Sequence, residues 1–223
     1  MVVRAPLTVA FDWNGTLVDD AARACAAAGA VLERRGLPPL GRDRFHEGFC
    51  LPLRTWIAGL GVPAGEVDGA IREWNQEMGR RPAELAAGAR EAVAAMRSSE
   101  IHLGVVSAAS LDALHRDLDR PALNGFAEQL AFIVGDAEPK RTAFTKLAGA
   151  RPHDFVYVGD TEYDMLEARA AGVRSIGYAG GYRPADALAA SGADWVIDRL
   201  SELPALLNEI GSAALAAGSD GSR

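Results

Sequence analysis

The sequence predicts an α/β protein in which helices cover both faces of a parallel β-sheet. Short, nearly continuous apolar runs recur along the chain, at residues 7–11, 101–106, 130–134 and 155–158, with weaker runs at 175–177 and 195–197. Such runs are typical of strands buried on both faces. The later runs alternate with helix-like stretches such as residues 162–171, and this alternation favours a doubly wound sheet.

A long interval interrupts this alternation. Between Leu17 and Ile101 the sequence contains no convincing strand. A simple crossover between parallel strands needs far fewer residues, and residues 84–97 can supply its helix. We therefore expect residues 18–83 to form a helical insertion.

One apolar stripe within the insertion predicts a helix. Its members recur at intervals of 4, 3 and 4 residues: Val67, Ile71, Trp74 and Met78. This spacing places them on one helical face, and packing within a small helical bundle is favoured over a ligand-binding surface. Outside the insertion, we expect an α/β core over residues 1–17 and 84–211, followed by an Ala-, Gly- and Ser-rich flexible tail over residues 212–223.

The overall composition is that of a globular protein. The chain of 223 residues carries 23 Lys and Arg against 30 Asp and Glu, so its formal net charge is −7, and 49% of its residues are apolar. These proportions exclude a wholly disordered chain, and no apolar stretch is long enough for a transmembrane helix or a secretory signal. The negative charge argues against a nucleic-acid partner. We expect a cytoplasmic protein without a membrane partner, either a monomer or a homodimer.

Acidic residues follow two of the predicted strands. Asp12 comes directly after the first strand in the segment FDWNGT, and Asp160 and Asp164 lie in the segment GDTEYD after the strand at 155–158. The ligand crevice of an open α/β sheet lies at the carboxyl ends of its strands. Converging carboxylates there suit Mg²⁺, and we favour this interpretation over simple helix capping by acidic residues. In the first segment, Gly15 permits a tight turn near a ligand, and Thr16 offers a hydroxyl and an N–H to an anion.

Two further residues extend the pattern. Ser107 ends the strand at 101–106, and Lys140 is one of only two lysines in the chain, with Lys146 as the alternative. The order strand-Asp-x-x-Gly-Thr, strand-Ser, Lys and strand-Gly-Asp-x-x-x-Asp resembles the haloacid dehalogenase superfamily of phosphotransfer hydrolases. The resemblance extends over residues 7–207, and the later part is similar to the phosphoglycolate-phosphatase-like branch.

This resemblance implies a Rossmann-like core with an inserted helical cap of the C1 type. It also implies a magnesium-dependent phosphatase that acts on a small phosphorylated metabolite through an aspartyl-phosphate. The family's nucleophile corresponds to Asp12. The family's magnesium ligands correspond to Asp12, the main-chain carbonyl of Asn14, Asp160 and Asp164.

The same resemblance assigns the remaining site residues. Ser107 and Lys140 would neutralise the phosphoryl oxygens during transfer. Gly15, Thr16 and Ala108 would contact the substrate at the crevice. Within the cap, Arg54 is our first choice for a residue that meets a second polar or anionic group of the substrate.

Three positions depart from the family pattern. Ala108 stands where Asn is common, and the segment around Lys140 reads EPKR rather than the commoner Lys-Pro-x-Pro form. The third departure is Asn14, which occupies the position of the general acid/base Asp. Loss of such a group usually costs roughly 10²–10⁴ in rate.

Several interpretations of Asn14 follow. The chain could be a slow phosphatase or one that uses a good leaving group, a phosphotransferase that passes the phosphoryl group to another acceptor, or an Asp-to-Asn variant made to trap a complex. A catalytically impaired relative that binds a phosphorylated ligand or a protein is the alternative outside enzymology. Haloacid-type dehalogenation is disfavoured because it leaves Asp160 and Asp164 unexplained.

Overall fold

The computed structural model describes residues 7–99 and 101–210, so the predicted tail at 212–223 lies outside the described residues. The strands in the described part are β1 (Thr8–Phe11), β2 (His102–Val106), β3 (Phe132–Val134), β4 (Phe155–Gly159), β5 (Arg174–Tyr178) and β6 (Trp195–Ile197). They form one sheet in the order β3-β2-β1-β4-β5-β6, and every pair is parallel. The predicted α/β class and parallel sheet are therefore confirmed.

Helices fill the intervals between the strands. They are α1 (Ala21–Glu33), α2 (Arg42–Gly48), α3 (Leu53–Gly59), α4 (Val67–Arg80), α5 (Ala89–Arg97), α6 (Leu111–Leu118), α7 (Lys140–Ala148), α8 (Glu162–Ala171) and α9 (Ala185–Ala190). Residues 203–210 are helical as well. Among the described residues, no helix has the length and apolar character needed to cross a membrane.

The register of the sheet brings three strand ends together. β1 lies between β2 and β4, with Phe11 opposite Val105 on one side and Val158 on the other. β4 is buried along its whole length, as expected for a central strand covered on both faces. Consequently Asp12, which follows β1, lies beside the residues that follow β2 and β4.

The helices α1–α4 have an apolar cluster of their own, separate from the two clusters that involve the sheet. Its centre is aromatic: the Phe45 ring packs edge-on against Trp56 at 5.6 Å and against Tyr182 at 5.1 Å between ring centroids. Tyr182 follows β5, so a residue of the sheet region completes the packing of these helices. The predicted limits of the insertion, residues 18 and 83, stay a prediction.

Candidate active site

Asp12 is held by its neighbours at the end of β1. Its backbone N–H donates to the Val158 carbonyl at 2.8 Å, which fixes it to β4. Its carboxylate accepts the N–H of Trp13 at 2.7 Å and lies 2.7 Å from the Nζ of Lys140. The side chain is nearly buried but lines a cavity, so one carboxylate oxygen can be presented to a ligand.

Two other carboxylates converge on Asp12. Asp160 follows β4 and Asp164 lies in the first turn of α8, and all three residues are buried with carboxylate oxygens within 4.8 Å of one another. Asp164 also forms a capping box with Thr161, accepting the Thr161 N–H at 3.0 Å. Its other oxygen accepts from Lys140 at 2.6 Å, so Asp164 both caps α8 and pairs with the buried ammonium.

Electrostatics in this cluster favour a bound cation. Burial raises the pKa of Asp12 to about 6; the nearby Lys140 opposes this rise and the nearby Asp164 adds to it. Burial raises the pKa of Asp160 well above its usual range, and repulsion from Asp164 and Asp12 adds to the effect. A hard divalent cation binds such clustered carboxylates and would stabilise their ionised forms. The donor set thus fits Mg²⁺.

Lys140 lies at the centre of the site. It is the first residue of α7, fully buried, and its Nζ also donates to the Tyr157 hydroxyl at 2.9 Å. Burial alone would lower the pKa of Lys140, but the Asp12 and Asp164 carboxylates raise it, so the ammonium stays charged. The alternative lysine, Lys146, is exposed.

Ser107, like Lys140, lies beside the Asp12 carboxylate. It follows β2, is buried and lines the cavity, and its hydrogen bond to the Asp12 carboxylate lowers the pKa of Asp12. Ala108 lines the same cavity and is half-buried. Ser107, Ala108, Lys140 and the three acidic residues therefore lie around one point, as the motif order predicts.

Gly15 and Thr16 lie beside Asp160. Neither is among the residues that line the cavity. Thr16 is fully buried and its hydroxyl donates to Asp160 at 2.9 Å. Gly15 has a φ of +76°, and a Cβ there would lie 2.1 Å from an Asp160 oxygen, so this position requires glycine for the close approach. Both residues thus contact Asp160 and do not line the cavity; their predicted contact with substrate stays a prediction.

Asn14 takes part in a network that the motifs did not reveal. Its Nδ2 donates to Asp20 at 2.5 Å. The other Asp20 oxygen accepts the N–H of Gly15 at 2.9 Å and the hydroxyl of Tyr182 at 2.7 Å. Burial raises the pKa of Asp20, and the neighbouring Arg23 opposes that rise. The amide at position 14 is therefore matched to a buried carboxylate.

Arg23 connects this network to α6. Its guanidinium donates to Asp20 at 2.9 Å and binds both oxygens of Asp117, also at 2.9 Å. Asp117 further accepts the indole N–H of Trp13 at 3.3 Å. Of Asp20, Arg23 and Asp117, only Asp20 could be connected to the site from the sequence, because it lies eight residues after Asp12.

Replacing Arg23 tests the structural role of this network. We expect Arg23→Met to lower the free energy of unfolding by about 3–5 kcal/mol, because it leaves the buried carboxylate of Asp20 without its cation, whereas Asp117 keeps Arg120 at 3.2 Å. Urea unfolding of the purified chain measures the change. Arg44→Met, in the exposed part of α2, is the matched control. An equal, small loss in both variants would contradict the role given to Arg23.

The cavity at this site has a volume of about 380 Å³ and lies between the sheet and α1–α4. Arg54, the predicted cap contact, lines it, but its guanidinium pairs with Asp68 and both side chains are largely exposed. Tyr182 also lines the cavity, and its backbone N–H donates to Asp160 at 2.8 Å. The apolar stripe of α4 both packs among the helices and contributes three residues to the cavity wall: Ile71, Trp74 and Met78.

Curated relatives match almost the whole chain. A phosphoglycolate phosphatase of Xanthomonas campestris pv. campestris is 31% identical, and the match covers 93% of this chain and 97% of that protein. A phosphoglycolate phosphatase of Chromobacterium violaceum is 30% identical over 87% of this chain and 93% of that protein. An N-acetylmuramic acid 6-phosphate phosphatase of Pseudomonas aeruginosa is 28% identical, with 87% and 92% covered.

Solved structures and a family model agree with these relatives. A predicted phosphatase from Clostridium acetobutylicum has the same fold with a TM-score of 0.80 at 20% identity, covering 92% of this chain and 100% of that one. The model of the haloacid dehalogenase-like hydrolases matches residues 9–178. The resemblance seen in the sequence is thereby confirmed, and the chain belongs to the haloacid dehalogenase-like hydrolase family, in its phosphoglycolate-phosphatase-like branch.

Proposed function

We propose that this hydrolase of phosphomonoesters depends on magnesium and transfers the phosphoryl group of a small metabolite to Asp12. The observation that carries the proposal is the position of Asp12. Its carboxylate faces a cavity, lies 2.7 Å from the Lys140 ammonium, and is grouped with Asp160 and Asp164. A nucleophile, a cation and a set of metal ligands around one point are what phosphoryl transfer requires.

The proposed reaction has two displacements at phosphorus. In the first, an Asp12 carboxylate oxygen bonds to phosphorus, the bond from phosphorus to the ester oxygen breaks, and that oxygen takes up a proton from solvent water. In the second, a water oxygen attacks phosphorus, the Asp12–phosphate bond breaks, and inorganic phosphate is released. Asp12, Asp160, Asp164 and the main-chain carbonyl of Asn14 would hold Mg²⁺, which supplies neutralisation of the phosphoryl charge when bound.

Lys140 and Ser107 have separate tasks in this scheme. The Lys140 ammonium, kept protonated by Asp12 and Asp164, offsets negative charge on the phosphoryl oxygens and favours the ionised form of Asp12. The Ser107 hydroxyl is a neutral donor for another phosphoryl oxygen. Because both groups are buried and already positioned, little reorganisation is needed when the substrate binds.

With Asn14 in place of an acid, we expect proton transfer to the leaving group to be slow. The Asn14 amide cannot exchange a proton near neutral pH, and one N–H of its Nδ2 already donates to Asp20. The hydrogen bond from Asn14 to Asp20 favours Asn14 as a natural residue over an Asp-to-Asn substitution made to trap a complex. The same observation supports a second candidate, a phosphotransferase whose phosphorylated Asp12 survives until an acceptor arrives.

We further propose that residues 18–83 act as the cap over this site, with the core formed by residues 1–17 and 84–211. Support comes from the separate apolar cluster of α1–α4 and from the cavity between these helices and the sheet. In this arrangement the core supplies the phosphoryl chemistry and the helices contact the rest of the substrate.

Metal removal tests the proposed function. We expect phosphate release from a panel of phosphomonoesters with Mg²⁺, and at least about a 10²-fold lower rate after chelation with EDTA, because the clustered carboxylates would repel the substrate. Readdition of Mg²⁺ should restore the rate, which controls for irreversible unfolding. Saturable, magnesium-dependent binding without phosphate release would instead identify a binding protein. Turnover that persists in EDTA would contradict the metal requirement.

A further inference from the structure

The wall that α3, α4 and the segment before α3 contribute to the cavity is largely apolar. Its apolar residues are Phe49, Leu51, Leu53, Ile71, Trp74 and Met78, and its polar residues are Arg54 and Asn75, both exposed. Phe49, Trp74 and Met78 are nearly buried, whereas the other three apolar residues are half-buried and expose apolar surface within the cavity. A ligand that covers this surface removes it from water, which stabilises the complex.

The two indole N–H groups at the cavity are already paired. The indole N–H of Trp74 donates to the Ala24 carbonyl at 3.2 Å, and that of Trp13 donates to Asp117. Each ring therefore presents carbon atoms to the cavity. No indole donor is left there to recognise a polar substituent of the substrate.

Among the described cavity residues outside the phosphoryl site, the arginines on α1 and α3 are paired with carboxylates, whereas the one on α6 is exposed. The guanidinium of Arg23 is taken up by Asp20 and Asp117, and that of Arg54 by Asp68. Arg116 is exposed at the rim, where the cavity is also lined by two acidic residues, Asp136 and Glu138. A substrate carboxylate placed against the apolar wall, away from Arg116, would have to leave water without a dedicated partner, which is unfavourable.

We propose that the substrate is a phosphomonoester of an apolar alcohol, whose hydrocarbon part packs between α4 and the segment Phe49–Leu53. This inference rests on the proposed function, since it assigns the leaving-group side of that reaction. The volume of about 380 Å³ lies within the range of about 300–1,000 Å³ typical of small-molecule sites. A two-carbon acid would leave most of the apolar wall in contact with water.

A series of primary n-alkyl phosphates tests the proposal, because the alcohols released are similar in acidity and differ mainly in apolar surface. We expect kcat/KM to rise roughly fourfold per methylene, or about 10²-fold from ethyl to hexyl phosphate, as the chain covers the wall. Phosphoglycolate, close in size to propyl phosphate, is expected to react at least about tenfold more slowly than it. Equal rates along the series, or a preference for phosphoglycolate, would overturn the inference while the phosphatase function stands.

Binding of n-alkylphosphonates in the presence of Mg²⁺ separates this inference from the hydrolytic function, because these analogues lack the ester bond. Calorimetry is expected to show the same increase in affinity with chain length. If affinity rises but no alkyl phosphate is hydrolysed, the apolar subsite stands and the hydrolytic function fails. If neither affinity nor rate rises with chain length, the inference fails.

Ile71→Asn localises the effect to the wall. It places an amide in the apolar region and is expected to reduce the preference for hexyl over ethyl phosphate by at least about tenfold. Leu166→Asn is the matched control, because Leu166 lies on α8 with 53% of its surface exposed and is not among the cavity residues. A full chain-length preference in Ile71→Asn would show that the hydrocarbon binds elsewhere.

Discussion

Asp12→Asn is expected to lower phosphate release by at least about 10⁴-fold, the largest loss that we predict for a single side chain. The amide keeps the acceptor for the Trp13 N–H but cannot form an acyl phosphate. Burial raises the pKa of Asp12 to about 6, so its ionised form predominates at neutral pH but is less stable in the folded chain than in the unfolded chain. The neutral amide should therefore preserve or increase the free energy of unfolding.

Loss of activity without loss of stability is the signature to measure. Steady-state phosphate release gives the rate, intact-protein mass spectrometry detects the phosphorylated chain, and urea unfolding reports stability. Asp19→Asn is the control, since Asp19 is exposed and lies close to the site in sequence. If Asp12→Asn retains a tenth of the parent rate or still becomes phosphorylated, Asp12 is not the nucleophile.

Exchanging the amide and the carboxylate at positions 14 and 20 is expected to give the largest gain. In the combined variant Asn14→Asp/Asp20→Asn, the net charge is kept and the amide at position 20 can donate to the carboxylate at position 14, but the ion pair between Arg23 and Asp20 is lost. A carboxyl group at position 14 can protonate the leaving group and then activate water. We expect hydrolysis to increase by about 10²–10⁴-fold.

The single variants show where this gain arises. Asn14→Asp alone places two carboxyl groups about as close as the present 2.5 Å contact between positions 14 and 20. Two carboxyl groups at that distance share one proton. We therefore expect a gain in the rate of phosphate release and a loss of free energy of unfolding. Asp20→Asn alone adds no acid and should give no gain in rate. Phosphate release from one alkyl phosphate, with unfolding measured in parallel, compares all three. An exchange variant no faster than the parent would mean that proton transfer does not limit turnover.

The sheet was predictable because strands buried on both faces appear in the sequence as nearly continuous apolar runs. Each predicted run corresponds to an observed strand within about two residues, including the weak run at 175–177, which lies within β5 (Arg174–Tyr178). That run is weak because it contains Gly177, where a Cβ would lie 3.0 Å from the Leu188 side chain of α9. Close packing of a helix on the strand, rather than strand propensity, determines that residue.

The network around Asn14 could not be predicted in the same way. Arg23 and Asp117 are 94 residues apart, and Asp117 resembles any acidic residue on the solvent face of an amphipathic helix. The motif places Asp12 and Asp160 at strand ends, but the local pattern does not indicate that Thr16 turns towards Asp160. Likewise, a spacing of 4, 3 and 4 predicts the apolar face of α4 without indicating that part of it lines a cavity.

The two edge strands of the sheet affect how copies of the chain can associate. β3 and β6 are the outermost strands, and each contains only three residues. An edge this short offers few unpaired amide and carbonyl groups to an incoming strand, and short edges are a common protection against aggregation. Extension of the sheet from one molecule into the next is therefore disfavoured, and any dimer would form through helices or loops.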